Sequence, residues 1–356
     1  MTSFRIGGRA IGGGEPPYVI AEISANHRGS RAAAIELIHA AAEAGADAVK
    51  LQHYTPDTIT VRSDHPDFLV TGGTLWDGRQ LADLYAEAMT PWEWTDDLAA
   101  AADAAGITWF STPFDRTAAD FLVRYDVPAF KIASFEIVDL PLIRYVAGLG
   151  KPMIISTGMA TLPEIDAAVE AATEAADGAE VAVLRCNSGY PAAPDEMDLR
   201  AIAVMHDRWH RPVGLSDHTL GSTAAIAAVA LGACIVEKHL TLRRSDGGPD
   251  SAFSAEPDEF AGLVAALHEA HRSLGEARFG PSEREVANIA FRRSLRVARP
   301  IAAGTILSAD DVRSMRPAGG LAPDHLRDVI GSTARTDLAV GHPVQWSDLL
   351  TDEEGR

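Results

Sequence analysis

The chain has 356 residues, 47% of them apolar and 23% charged, with a formal net charge of −19. Such proportions describe a water-soluble globular protein with room for one large domain and a small one. So acidic a chain is a poor partner for nucleic acid or an anionic membrane, because nothing offsets phosphate repulsion; a local group of lysines could still hold a small anion. Its 2 cysteines, Cys186 and Cys234, lie in apolar runs and read as buried reduced thiols. The N-terminus lacks the basic start and long apolar core of a signal peptide, and no apolar stretch reaches the ~18 residues that span a bilayer. A cytoplasmic location is expected.

Short β-rich runs then alternate with alanine-rich helical stretches. In chain order the runs are Tyr18 to Ile23, Ala48 to Tyr54, Thr108 to Pro113 and Ala129 to Ser134. Pro152 to Thr157, Val181 to Cys186, Pro212 to Asp217 and Cys234 to Leu240 complete the set. "TPWE" (Thr90 to Glu93) and "TLPE" (Thr161 to Glu164) read as capping boxes, and a glycine separates several helices from the next strand. Apolar strands covered by helices imply a parallel sheet buried on both faces. Eight units in about 250 residues predict a (β/α)8 barrel rather than an open sheet. No G-x-G-x-x-G follows the first strand, which removes support for a dinucleotide fold. The segment 54–90, between the second and third runs, is long enough to read as a substrate lid.

The barrel is expected to occupy 1–280, followed by a linker over 281–295 and a small β-rich domain over 296–352. In that last part, "PIAAGTILSADDV" from Pro300 aligns with "DLAVGHPVQWSDL" from Asp337, matching Ile301 with Leu338, Gly304 with Gly341 and Asp311 with Asp348. The repeat predicts pseudo-twofold symmetry.

Polar residues gather at the C-terminal ends of the strands, where barrels of this kind place their chemistry. Glu22 ends the first run. Lys50 and Gln52 are two apart on the second and share a face. Ser111 and Thr112 end the third. Lys131 and Ser134 belong to the fourth, with Glu136 just beyond. Ser156, the "CNSGYP" segment with Ser188 and Tyr190, the pair Ser216/His218 and the pair Glu237/His239 complete the rim. Two imidazoles in matching positions on neighbouring strands could meet a metal, with oxygen ligands or water completing its shell. Lys50 and Lys131 inside apolar strands need partners. Ion pairing with Glu22 or Glu136 is one reading. An anion site, with the rim hydroxyls donating to phosphate oxygens, is the other.

Seven motifs carry a resemblance: "AEISANH", "KLQHYTPDT", "FSTPFD", "KIASFEIVDLPLI", "ISTGMAT", "GLSDHTLG" and "EKHLTL". In this order they resemble the sialic acid synthase family, and the segment with "RPAGGL" resembles its C-terminal antifreeze-like (SAF) domain. "TLWDGRQLADLYAEAMTPWEW" and "RRSDGGPDSAFS" are similar to the pseudaminate-forming branch. The resemblance implies a condensation of phosphoenolpyruvate with 2,4-diacetamido-2,4,6-trideoxy-L-altrose and water, giving pseudaminate and phosphate. It also implies roles. His218 and His239 match ligands of Mn2+ or a similar ion such as Mg2+ or Co2+. Lys50, Lys131, Ser134, Ser156 and Ser216 match phosphoenolpyruvate contacts, and Glu22 matches the group that handles water. Gln52, Tyr190, Glu237 and Asp250 match the sugar side. Arg316 matches an arginine that reaches the partner's site in a domain-swapped homodimer. Ser188 departs from the pattern, since many members of the family have asparagine there. A synthase for N-acetylneuraminate or legionaminate, a deoxy-sugar-phosphate synthase and a non-catalytic SAF interaction protein stay open as alternatives.

Overall fold

Eight parallel strands close into a barrel in chain order. They are β1 (Tyr18–Glu22), β2 (Ala48–His53), β3 (Thr108–Pro113), β4 (Phe130–Ile132), β5 (Met153–Ser156), β6 (Val181–Cys186), β7 (Val213–Asp217) and β8 (Ile235–His239). β8 returns to pair with β1. This computed structural model describes residues 4–176 and 178–350. The chain forms two units, Met1–Gly275 and Glu276–Arg356. The SAF domain's expected end, residue 352, lies outside the described residues.

Nearly every strand residue is buried, because helices cover the outer face and side chains fill the inside. The strand register stacks the interior in layers. Leu184, Gly214 and Ile235 are paired neighbours on β6, β7 and β8. A Cβ on Gly214 would lie 2.6 Å from Leu184 Cδ2 and 2.8 Å from Ile235 Cβ, so only glycine leaves room for this apolar layer. Two residues further along each strand the same positions are Cys186, Ser216 and Glu237. The polar layer therefore rests on an apolar floor.

Local signals explain most helix ends. Thr161 and Glu164 form the expected capping box at the start of the helix Leu162–Ala175. Gly106, in the left-handed region at φ +68°, stops the helix Thr95–Ala105. The box expected at Thr90 to Glu93 does not form. Thr90 is buried, Trp92–Trp94 makes a tight turn, and the helix starts at Thr95. Thr95 is held from outside its helix, its hydroxyl 3.0 Å from His53 Nε2.

In the second unit, Ser294–Val297 pairs antiparallel with Val312–Met315, and Thr333–Ala334 with Leu349–Leu350. The internal repeat has a structural counterpart. Ile301 and Leu338 bridge each other through two backbone hydrogen bonds, of 3.0 and 2.8 Å. Asp311 accepts the Ser308 N–H at 2.7 Å as Asp348 accepts the Gln345 N–H at 2.8 Å.

Outside the barrel, between strand and helices, Lys238 Nζ donates to Asp217 Oδ2 at 2.7 Å and to the Thr219 carbonyl at 2.6 Å, all of it buried. Removing one partner of such a pair leaves a charge without compensation. Asp217→Ala should cost about 3–5 kcal/mol, read as a lower urea midpoint; an unchanged midpoint would show that Lys238 finds another partner.

Candidate active site

Four ionisable side chains meet inside the C-terminal end of the barrel: Glu22, Lys50, Lys131 and Glu237. Each is at most 4% exposed. Lys50 Nζ touches Glu22 Oε2 and lies 3.5 Å from Glu237 Oε1, while Lys131 Nζ lies 3.9 Å from that same oxygen. Glu237, not Glu136, is thus the ion partner of Lys131. Hydroxyls complete the set. Lys50 Nζ donates to Thr112 Oγ1 at 3.2 Å, Lys131 Nζ to Ser156 Oγ at 2.6 Å, and Ser216 Oγ to Glu237 Oε1 at 3.3 Å.

Burial is the largest influence on all four charges, and the neighbours decide the direction in which each one moves. Burial raises Glu22 above the ordinary carboxylate range in spite of Lys50. Glu237 is buried as deeply, but Lys131 and Lys50 together pull it below that range. Lys50 is lifted by its two carboxylates against burial, whereas burial wins at Lys131 and lowers it. Glu237 is thus the firmly ionised carboxylate and Glu22 the more easily protonated one. Lys131 is the ammonium that a further negative charge would stabilise most.

Beside Lys131 the chain makes a cradle. Ser134 Oγ accepts the Gly158 N–H at 3.0 Å. A Cβ on Gly158 would lie 2.1 Å from Ser188 Oγ and 2.7 Å from Ser134 Oγ, so glycine keeps three small polar groups together. A cavity of about 670 Å3 opens there, lined by Met159, Cys186, Asn187, Ser188 and Asp195 among others.

On the other side lie Gln52 and Asp250. Gln52 Nε2 donates to Ser24 Oγ at 3.0 Å and to Glu22 Oε1 at 3.4 Å; Ser24 Oγ in turn donates to Asp250 Oδ2. Burial raises Asp250 although the Ser24 hydroxyl and Ala25 N–H oppose it. Above them sit the imidazoles of His218 and His239, with ring centres 5.3 Å apart. Tyr190 lies 4.4 Å from His218, and Phe253 lies 5.0 Å from both Tyr190 and His239.

The two histidines fit a divalent cation as part of its shell. His218 Nδ1 is 2.7 Å from the Asn187 carbonyl, so Nδ1 carries a hydrogen and Nε2 is the nitrogen that would face an ion. Burial lowers this imidazole, but Cys186 and the Asn187 carbonyl outweigh it and raise it above the usual range, so an ion there would have to displace a proton. His239 is buried and held well below the usual imidazole range, which keeps it neutral, and its Nδ1 has no hydrogen-bond partner. Among the described residues no group of three or more His, Cys, Asp or Glu side chains is arranged to hold an ion. Water or substrate would have to supply the other ligands.

One expected residue falls elsewhere. Ser111 points away from the interior, its Oγ 2.7 Å from His53 Nδ1. Lys50 and Gln52 face inward, and their partners across the ladder are Phe110 and Thr112, so strand alternation turns Ser111 out. Thr112 takes the place expected of Ser111. Arg316 is exposed in the second unit. Glu136 lies just after β4, half-buried, and burial raises it to about 7. Sequence reasoning missed Gly158 and Ser24, although both stand in motifs it singled out.

Buried side-chain atoms without a hydrogen-bond partner gather in this region: Glu136 Oε2, Ser188 Oγ, Glu237 Oε2 and His239 Nδ1. Folded proteins pair nearly all such atoms, so the gathering marks a ligand site. A second cavity, of about 580 Å3, lies around Lys238, Arg244 and Glu259. There Lys238 is paired with Asp217 and Arg244 with Glu259, so nothing in it calls for a ligand.

This architecture, a barrel with basic and acidic groups at its C-terminal mouth, is that of a barrel enzyme with a separate small β domain. The chain belongs to the NeuB family, whose profile matches residues 37–279, and an SAF domain matches residues 292–350. The pseudaminic acid synthase of Campylobacter jejuni is 42% identical over 93% of this chain and 96% of its own. That of Helicobacter pylori is 38% identical over 94% and 98%. Among solved structures, the N-acetylneuraminic acid synthetase of Leptospira borgpetersenii, in complex with citrate, superposes with a TM-score of 0.72. It is 31% identical and covers 81% of this chain and 95% of that one.

Gly158→Ala should weaken phosphoenolpyruvate binding by about tenfold or more, because the added methyl displaces two hydroxyls that would donate to an anion. Ser111→Ala should leave that affinity within about twofold. Calorimetric titration of both variants checks this; equal losses would mean that the cradle is not the anion site.

Proposed function

We propose that the protein is a transferase that condenses phosphoenolpyruvate with 2,4-diacetamido-2,4,6-trideoxy-L-altrose and water, releasing pseudaminate and phosphate. The observation that carries this is the pair of buried lysines, set among hydroxyls and carboxylates, beside two imidazoles at the barrel mouth. The family and its pseudaminate-forming relatives support the same reading.

In this mechanism Lys50, Lys131, Ser134, Ser156, Ser188 and Ser216 hold the carboxylate and phosphate of phosphoenolpyruvate, with the Gly158 N–H orienting the Ser134 hydroxyl. Its methylene carbon C3 faces the sugar, which Gln52, Glu136, Tyr190 and Asp250 orient. Holding both reactants removes much of the entropic barrier of a bimolecular step. The enol π pair of C3 forms the new C–C bond with the aldehyde carbon, and the aldehyde oxygen takes up a proton. C2 becomes electron-deficient, and the firmly ionised Glu237 stabilises it. Glu22 accepts a proton from the water that attacks C2. The bond from C2 to the phosphoryl oxygen then breaks, phosphate leaves with the pair and takes the proton of the new C2 hydroxyl, and C2 becomes a ketone; the proton held by Glu22 balances the one taken up at the aldehyde oxygen. His218 and His239 would hold a divalent cation, Mn2+ first and Mg2+ or Co2+ as substitutes; when bound, it supplies Lewis-acid polarisation of the aldehyde oxygen.

The reading extends to a domain-swapped homodimer in which Arg316 of one copy recognises an acyl oxygen on the sugar of the other. The exposure of Arg316 and the family resemblance support it. A cytoplasmic location is supported by the free thiols of Cys186 and Cys234. Among the described residues, no helix is long and apolar enough to cross a membrane. A phosphorylated sugar is disfavoured, because Arg243 and Arg244, the nearest candidates for a second phosphate site, are paired with Asp246 and Glu259.

Phosphate release with three sugars tests the proposal. The diacetamido-trideoxy-altrose should exceed N-acetylmannosamine and the legionaminate precursor in kcat/KM by about 100-fold or more. Preferential turnover of N-acetylmannosamine would overturn it. A chelator or His239→Ala should abolish release in the same assay; full activity in both would reject the metal assignment.

A further inference from the structure

The segment 69–80 builds its own frame. Leu69 bridges Gln80 in antiparallel fashion, Val70 N–H donates to the Arg79 carbonyl at 2.8 Å, and Gly78 N–H returns to Val70 at 2.8 Å. At its tip, Asp77 accepts from Gly73 N–H at 2.8 Å, from Thr74 N–H at 2.9 Å and from Thr74 Oγ1 at 2.8 Å. Thr71 to Leu75 and Asp77 to Gly78 are exposed, yet Trp76 between them is half-buried. Its Nε1 donates to the Pro249 carbonyl at 3.0 Å, next to Asp250, and its ring lies 5.5 Å from that of Tyr190. Tyr190 continues to Phe253, 5.0 Å away, and to His218 at 4.4 Å.

We propose that Trp76 is a specificity-determining residue that completes an aromatic wall, with Tyr190 and Phe253, for the apolar substituents of the sugar. The inference rests on the synthase reading above and deepens it. The polar contacts of the site, Gln52, Ser24 and Asp250, hydrogen-bond one another and suit hydroxyl and amide groups. The aromatic wall offers flat apolar surface that gains nothing from a hydroxyl but packs well against a methyl. An acylated, deoxygenated sugar carries such methyl groups on its acetamido arms and its terminal carbon. The self-supporting loop presents the ring at little ordering cost, since its backbone hydrogen bonds are already made.

Steady-state kinetics of the full-length protein with Trp76→Ala and Trp76→Phe test this. Trp76→Ala should raise KM for the diacetamido-trideoxy-altrose about 10- to 100-fold and leave KM for phosphoenolpyruvate within about twofold. Its preference for that sugar over N-acetylmannosamine should fall by about tenfold. Trp76→Phe, which keeps a ring but loses the N–H, should stay within about threefold of the parent. An unchanged sugar KM in Trp76→Ala, or equal losses for both substrates, would overturn the inference. So would Trp76→Phe failing as badly as Trp76→Ala, since the ring would then serve only to hang an N–H on Pro249. If the parent enzyme turns over none of the sugars, the synthase reading fails and takes this inference with it; an active parent with an indifferent Trp76 sinks the inference alone.

Discussion

Everything at the mouth of this barrel depends on having placed four charges, Glu22, Lys50, Lys131 and Glu237, where water cannot reach them. Isolated charges in such surroundings are strongly unfavourable, so each needs an opposite charge and several hydrogen bonds. The barrel supplies the charges in balanced number but not all the hydrogen bonds. Glu237 Oε2 and Ser188 Oγ stay unpartnered, and burial still lowers Lys131 despite its carboxylate. An arrangement built only for stability would close those gaps. One built to receive ligands leaves them open: Ser188 Oγ and Lys131 for an anion, the Glu237 oxygen for a hydrogen-bond donor or a cation.

The last residues of β8 show the contrast over three positions. Lys238 faces out and is satisfied twice, by Asp217 and by the Thr219 carbonyl. Glu237 and His239, one residue to either side, face in and each keep an unpartnered atom. Alternation in a strand separates the two tasks. The outer face holds the strand to its neighbour, and the inner face holds back capacity for chemistry. The apolar layer of Leu184, Gly214 and Ile235 beneath keeps water from filling the gap from below.

The fold is largely legible in the sequence because its signals are local and repeated. All eight apolar runs become barrel strands, and the match of Ile301 with Leu338 becomes a bridge. The site is legible where two polar residues stand two apart, as in Lys50/Gln52 and Glu237/His239. It misleads at Ser111, where a hydroxyl at a strand end shows its position but not its phase; the inward Lys50 already implies Thr112. Gly158 escapes because its contribution is a missing side chain, visible only once Ser134 and Ser188 stand around it. Trp76 escapes because it reaches Pro249, 173 positions along the chain, and Tyr190, separations that no local pattern encodes. The box at Thr90 fails for a similar reason, since His53 holds the start of the helix from another strand.

The claim that the buried charges exist to hold an anion is tested most directly at Lys131. Phosphoenolpyruvate titrated calorimetrically onto the Lys131→Met protein should bind at least about 100-fold more weakly than to the parent, since the substitution removes a charge-assisted, desolvated contact. The far-ultraviolet spectrum should remain that of the parent. An unchanged affinity in a folded Lys131→Met protein would contradict the claim and return Lys131 to a purely structural role.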